Sequence, residues 1–325
     1  MKKKLPASIS LDLDDKWSYM KVHGDEGWDK FPSYLDIVLP LTLDILDKLD
    51  IKITFFIVGQ DAANEKNHTL LRNIVERGHE VANHSFHHES WLKTYSKEKI
   101  EEEIRMAEEA ILNATGQRTN MFRGPGFSWS NDLLEVLQGR NYIFDASILP
   151  TYLSPLMRRY YFWKSKLSKE QKKSRKELFG SFNEGFYPLK PFKWKLKSNK
   201  TLLEIPVTTM PVFKIPFHQS YLIYISNVSY VLMKLYFGFS IFMCKLTKTS
   251  PSYLLHPLDL IGSRESPELK FFPGMNVQRE TKIKIFEYAL TRLKKHFELL
   301  PMGKFAMQLP DQQKEITIKQ KEKIS

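Results

Sequence analysis

The run Gly78-His79-Glu80-Val81-Ala82-Asn83-His84-Ser85-Phe86-His87-His88 sets the frame of the chain. Glu80–Asn83 reads as a short strand, and it opens into a cluster that brings the run to four of the chain's nine histidines. Just upstream, Leu70–Arg77 has helical spacing and is stopped by Gly78; further up, Ile51–Val58 is an apolar strand. Downstream, Ser96–Thr115 has a serine N-cap, acids in its first turns and Gly116 past its end. Strands separated by helices predict βα units on a parallel sheet or barrel.

The same rhythm extends outward. Further strands are expected at Ala7–Leu13, Asn120–Arg123, Tyr142–Ser147, Leu202–Val207 and Tyr253–His256, and further helices at Leu35–Leu49, Asp132–Gln138 and Thr281–Leu299. No internal repeat is visible. A length of 325 residues suits one large barrel with insertions. The expected organisation is a single barrel over residues 1–310. Residues 150–200, rich in lysine and aromatics, form an inserted cap with a short helix, and residues 311–325 form a polar, frayed tail.

Composition narrows the class. Hydrophobic residues make up 42% and charged residues 26%, enough apolar surface for a sizeable core and too much for a disordered chain. A single cysteine, Cys244, rules out an internal disulfide framework. The N-terminal lysines are not followed by an apolar stretch, and no run reaches the ~18 apolar residues of a membrane span. The nearest approach, Tyr221–Cys244, is interrupted by Ser226, Asn227, Ser229 and Lys234 and reads as an amphipathic or buried helix. A cytoplasmic location is the expectation. Of the net charge of +12, a surplus of 11 lies between Arg158 and Lys200, with 14 Lys/Arg against 3 Asp/Glu. Such a patch is either a solvated insertion or a contact for an anionic partner such as membrane lipid.

Five strands place polar residues at their C-terminal ends, where βα barrels assemble sites. In Ser8-Ile9-Ser10-Leu11-Asp12-Leu13-Asp14-Asp15, alternation puts Ser8, Ser10, Asp12 and Asp14 on one face. Two carboxylates there repel unless a cation or shared proton relieves them; helix capping by acidic loop residues is the simpler account. His84 and His88, spaced i,i+4, aim at one point if they share a helical turn, and with a carboxylate they form a facial metal set. An isolated H-x-x-x-H also arises by surface placement. His79 and His87 read as core or supporting histidines. Arg123-Gly124-Pro125-Gly126 pairs an arginine that can fork onto a carboxylate with a tight turn that exposes N–H groups. Asp145 and His256 end two further strands.

With these residues in place, the chain resembles the polysaccharide deacetylase family, which shares the NodB homology domain, from about Pro6 to Met302. The match is closest in Ile53–Gly59, the Gly78–His88 run, Arg123–Gly126, Asp145–Ser147 and Leu254–Pro257. The resemblance implies a distorted (β/α)7 barrel and metal-dependent hydrolysis of N- or O-acetyl groups on sugars. It further implies Asp12 as general base, Asp14, His84 and His88 as ligands of one divalent metal, zinc being expected, and Arg123 as the residue orienting the base. Gly126 N–H would hold the oxyanion, His256 would be the general acid with Asp145 as its partner, and Pro125, Phe127 and Leu254 would face the substrate. Many members have adjacent aspartates where this chain reads Asp12-Leu13-Asp14-Asp15. Asp12/Asp14 is the preferred base and ligand pair, and Asp14/Asp15 stays open.

The expected substrate is an acylated sugar or glycan, either a polymer or a sugar carried on a nucleotide or a lipid at the cytoplasmic membrane face. The cap would contact anionic lipid, and no nucleic acid partner is expected. Two other readings remain at this stage: a metal-independent hydrolase of cyclic amides or ureides on the same fold, and a non-enzymatic glycan-binding module.

Overall fold

A computed structural model describes residues 4–174 and 182–317. Its strands are β1 (Pro6–Leu13), β2 (Thr54–Ile57), β3 (Glu80–Asn83), β4 (Met121–Phe122), β5 (Phe144–Asp145), β6 (Phe192–Lys195), β7 (Thr201–Glu204), β8 (Ser252–Leu255), β9 (Glu298–Leu300) and β10 (Glu315–Thr317). They form one sheet in the order β10-β6-β7-β5-β4-β3-β2-β1-β8, with β9 on β1. From β7 through to β8 every neighbouring pair is parallel. The sheet curls until its ends meet: Thr208 N–H donates to Ser252 O at 3.0 Å, and Ser252 N–H to Thr208 Oγ1 at 2.8 Å. This is a distorted (β/α)7 barrel.

The central strands are buried on both faces, as parallel strands under helices must be. Ile9, Leu11 and Leu13 of β1 pack outward with Val38, Leu39, Leu43 and Leu46 of helix Leu35–Lys48. Helix Lys97–Thr115 buries Ile100, Ile104, Ala107 and Ile111 and turns Glu98, Glu101, Arg105 and Glu109 to solvent. Ser96 caps it, its hydroxyl accepting from Lys99 N–H, and Gly116 ends it at φ +76°.

Four expectations change. The long C-terminal helix stops at His296, because extended Phe297 redirects the chain and Glu298 N–H donates to Leu5 O at 2.9 Å, starting β9. The end of the presumed cap is sheet: Phe192 and Trp194 point inward from β6, which pairs antiparallel with β7. In the presumed tail, β10 pairs with β6, whose edge would otherwise offer unpaired backbone groups. The interrupted segment around Tyr221–Cys244 is two helices, Gln219–Ser226 and Tyr230–Leu246. Of the cap interior, helices Ser154–Lys164 and Lys169–Ser174 are seen, and residues 175–181, like 318–325 of the tail, lie outside the described residues. No described helix is long and apolar enough to cross a membrane.

Candidate active site

Arg123 is wholly buried at the end of β4. Its Nη1 donates to Asp12 Oδ1 at 2.5 Å and to Ser10 Oγ at 2.9 Å, and its Nε donates to Ala146 O at 3.1 Å. The guanidinium lies 4.2 Å from the Phe56 ring centre. A buried guanidinium needs a carboxylate, and this one fixes Asp12 at the mouth of the barrel.

Beside it, Asp14 Oδ1 lies 3.0 Å from His88 Nε2 and 3.4 Å from His84 Nε2. His84 Nδ1 sits 2.6 Å from Arg123 O. A carbonyl only accepts, so Nδ1 carries the hydrogen and Nε2 of the neutral ring turns its lone pair toward Asp14. Asp14 Oδ1 is buried and has no hydrogen-bond partner. A buried anionic oxygen facing a nitrogen lone pair calls for a cation between them. Burial pushes the Asp14 pKa up, and positive charge on His88 and His84, when the rings are protonated, outweighs it and holds the carboxyl well below the usual range; with neutral rings a bound cation would have to supply that charge. One ligand atom from each of Asp14, His84 and His88 lies within 4.8 Å of the others. This donor set fits a divalent metal with positions left open.

Asp15, the rival ligand, is otherwise engaged. Its Oδ1 accepts from Lys16 N–H at 2.7 Å and Tyr34 N–H at 3.1 Å, capping helix Lys16–His23. The acidic run thus divides into base candidate, ligand candidate and cap.

The histidine spacing works without a helix. His84–His88 is a loop in which Ser85 and His88 adopt φ +61° and +52°. Gly59 and Gln60 N–H donate to Ser85 O and Phe86 O, each at 2.9 Å. Glu103 accepts from Phe86 N–H at 3.2 Å and His87 N–H at 3.0 Å, and meets His87 Nδ1 at 2.5 Å. Gly59 is required here, since a Cβ would stand 2.7 Å from Phe86 and 2.8 Å from Ala107 Cα. His79, by contrast, is a core histidine that accepts from Ile53 N–H at 3.1 Å, and burial pushes it down to about 4.

His256 lines the same cleft from the end of β8. The partner expected for its ring was Asp145; in the structure Asp145 lies elsewhere, and Asp259 holds the backbone of His256 and reaches the ring through Ser220. Asp259 Oδ2 accepts from His256 N–H at 2.8 Å, and Ser220 Oγ donates to Asp259 Oδ1 at 2.8 Å while standing 3.4 Å from His256 Nδ1. Asp145 faces the barrel wall, where its Oδ1 accepts from Ala146 N–H at 2.9 Å and Ser147 Oγ at 2.5 Å, opposite Glu204 of β7. Burial raises Asp145 to about 6 and Glu204 well above its ordinary range.

The cleft encloses about 740 Å³ over Asp12, Asp14, His84, His88 and His256. Gly126 lines it at φ +58°, where a Cβ would press on Ser90 at 3.1 Å. Phe127 lines it too, whereas Pro125 and Leu254 are buried behind it, Leu254 against Leu149 and Val207. His218, not anticipated from sequence, also faces the cleft; burial pushes it down to about 3, so it stays neutral. A lone histidine before a helix gave no signal. Asp259 and Glu103 did give one: the first stands three residues after His256, and the second is an acid on an apolar helical stripe.

Fold and site together define a distorted (β/α)7 barrel of the NodB type, with a carboxylate–histidine–histidine centre at the C-terminal strand ends. The family model described as polysaccharide deacetylase matches residues 25–143 of the chain. The chain is 31% identical over 86 residues to the peptidoglycan-N-acetylmuramic acid deacetylase PdaA of Bacillus subtilis (strain 168), covering 26% of this chain and 32% of that protein. It is 34% identical over 96 residues to a chitooligosaccharide deacetylase of Bradyrhizobium sp. (strain ANU 289), covering 29% of this chain and 42% of that one. These matches thus span less than half the length of either relative. The crystal structure of a Mycobacterium smegmatis protein described as a polysaccharide deacetylase superposes with a TM-score of 0.58 at 15% identity, over 94% of this chain and 90% of that one. That likeness is one of fold.

Proposed function

We propose that the chain is a metal-dependent hydrolase that removes an N-acyl group, acetyl in the simplest case, from an amino sugar. The carrying observation is Asp12, locked by Arg123 beside the Asp14–His84–His88 set, with His256 facing the same cleft. The relatives named for deacetylation of N-acetylmuramic acid and chitooligosaccharide support the substrate class.

Asp14, His84 and His88 would hold the metal, zinc suiting this ligand set, and a bound metal supplies Lewis-acid polarisation of the acyl carbonyl and acidifies water. Asp12 accepts the proton of the attacking water, and Arg123 keeps its second oxygen free for that task. Gly126 lines the cleft, and its N–H would meet the oxyanion as it develops. His256 donates a proton to the leaving nitrogen, positioned by Ser220 and Asp259. A pure binding module has no use for such a set. A metal-free ureide hydrolase would leave Asp14 Oδ1 facing two imidazoles with no purpose.

The test is deacetylation of N-acetylchitooligosaccharides by the full chain, with added metal and with chelator. Activity should depend on metal, and His84→Ala should lose both metal and turnover. Full activity in chelator, or one equivalent of metal and full turnover in His84→Ala, overturns the proposal.

A further inference from the structure

The chain between β7 and β8 differs from the rest of the surface. No aspartate or glutamate lies between Glu204 and Asp259, while Lys214, Lys234, Lys245 and Lys248 do. The segment folds into a helical hairpin, Gln219–Ser226 and Tyr230–Leu246, with Ser229 Oγ accepting from Leu232 N–H at 3.2 Å to start the second helix. Met233, Phe237, Ile241 and Cys244 pack into the core. The opposite stripe, Val231, Leu235, Phe239, Phe242 and Leu246, repeats at helical spacing and is just as apolar, yet it is open, with Leu235 at 67% and Val231 at 66% exposure. A helix apolar on all sides is one covered on all sides. The patch continues through Val228 at the hairpin tip, 82% exposed, and through exposed Phe213, whose ring lies 6.1 Å from that of Phe239.

The patch reaches the cleft. Helix Gln219–Ser226 contributes Ser220, Tyr221 and Tyr224 to its wall. Tyr221 Oη lies 3.2 Å from Met157 Sδ on helix Ser154–Lys164, whose exposed Leu156 and Tyr160 also line the mouth. The rim of the cleft is therefore apolar where its floor is ionic.

We propose that this hairpin lies in the interface of an anionic bilayer and seats the cleft mouth there, so that the acylated sugar arrives on a lipid carrier. The occupant is a bilayer on two grounds. The second helix, 17 residues, is about 25 Å long, so it suits lying in the interface better than spanning it. Exposed Lys245 and Lys248 at its far end and Lys234 along it, with no acid in the segment, complement anionic headgroups. The lipid-carrier half rests on the deacetylase reading; the docking half does not.

The experiment is flotation of the full chain with phosphatidylcholine–phosphatidylglycerol vesicles, compared with the double variant Leu235→Glu/Phe239→Glu, whose altered side chains are exposed in the wild type. The wild type should float. Each buried large apolar side chain is worth on the order of tenfold in partition, so the variant should bind at least about a hundredfold more weakly. Its turnover of soluble N-acetylchitooligosaccharide should stay unchanged, while turnover of a long-chain alkyl N-acetylglucosaminide in vesicles should fall at least about tenfold. A wild type that does not float, a variant that floats equally, or light scattering that shows a dimer broken by the variant, overturns the docking proposal. Equal loss or equal retention on both substrates overturns the lipid carrier. Flotation needs no catalysis, so its failure leaves the deacetylase reading standing, and the reverse holds too.

Discussion

The two walls of the cleft are built on opposite principles. The wall carried by β1, β3 and β4 is ionic, buried and tied down: Arg123 alone makes contacts to Asp12, Ser10 and Ala146, and the histidine loop is held from Gly59, Gln60 and Glu103. The wall carried by the β7–β8 connection has no acid until Asp259 and turns apolar side chains outward. On the proposed function the first wall serves the chemistry and the second serves access. Substitutions should separate the two accordingly, with effects on every substrate from the first and on presented substrate only from the second.

The largest effect should come from Asp12→Asn, which removes the proton acceptor while leaving an oxygen for Arg123. Turnover of soluble oligosaccharide should fall about 10³–10⁴-fold, with vesicle binding intact. If turnover stays within tenfold, the ionic wall is not the chemical one. Next, His256→Ala should cost about 10²–10⁴ in kcat, and Asp259→Asn, acting through the imidazole, about tenfold to a hundredfold with a displaced pH profile. Asp145→Asn should leave kcat nearly untouched, and a loss matching that of His256→Ala would return Asp145 to the role expected for it from sequence.

Legibility divided along the same line. Strand ends carrying Asp12, Arg123 and His256 were readable because barrel strands obey period two and sites gather at their C-terminal ends. The carboxylate partner of His256 was misjudged because two acids, Asp145 and Asp259, stand near strand ends. Only the folded structure shows that Asp259 holds the His256 backbone N–H and meets its ring through Ser220. Leu254 looked like a lining residue because strand position says nothing of depth. The apolar hairpin was visible as composition, but whether Tyr221–Cys244 buried one face or two depended on packing that a single sequence does not encode.

Glu103 sharpens the contrast at smaller scale. Glu103→Ala frees the histidine loop from two backbone N–H contacts, and metal affinity should weaken about tenfold to a hundredfold, read by competition with a chromogenic chelator. Unchanged affinity would mean that Gly59 and Gln60 hold the loop alone. The smallest effect belongs to the buried pair Asp145–Glu204. Its folded-state pKa values lie above the unfolded ones, with Asp145 at about 6, so its contribution is full at acid pH and is lost as pH rises through about 6. Asp145→Asn replaces a proton by an amide and should flatten the fall in Tm between pH 4 and pH 7, by the equivalent of about 1–2 kcal/mol. A parallel pair of Tm curves would remove the pair from the pH dependence.

The barrel closes at Thr208 and Ser252, the residues between which the hairpin is inserted. That closure consists of a backbone contact and a hydroxyl contact, where β1 and β2 share a register of four residue pairs. The ring therefore behaves as a clasp rather than a hoop. Amide hydrogens at Thr208 and Ser252 should exchange before those of β1 and β2, and a load placed on the hairpin would open the seam while Asp12, Asp14 and their histidines keep their spacing.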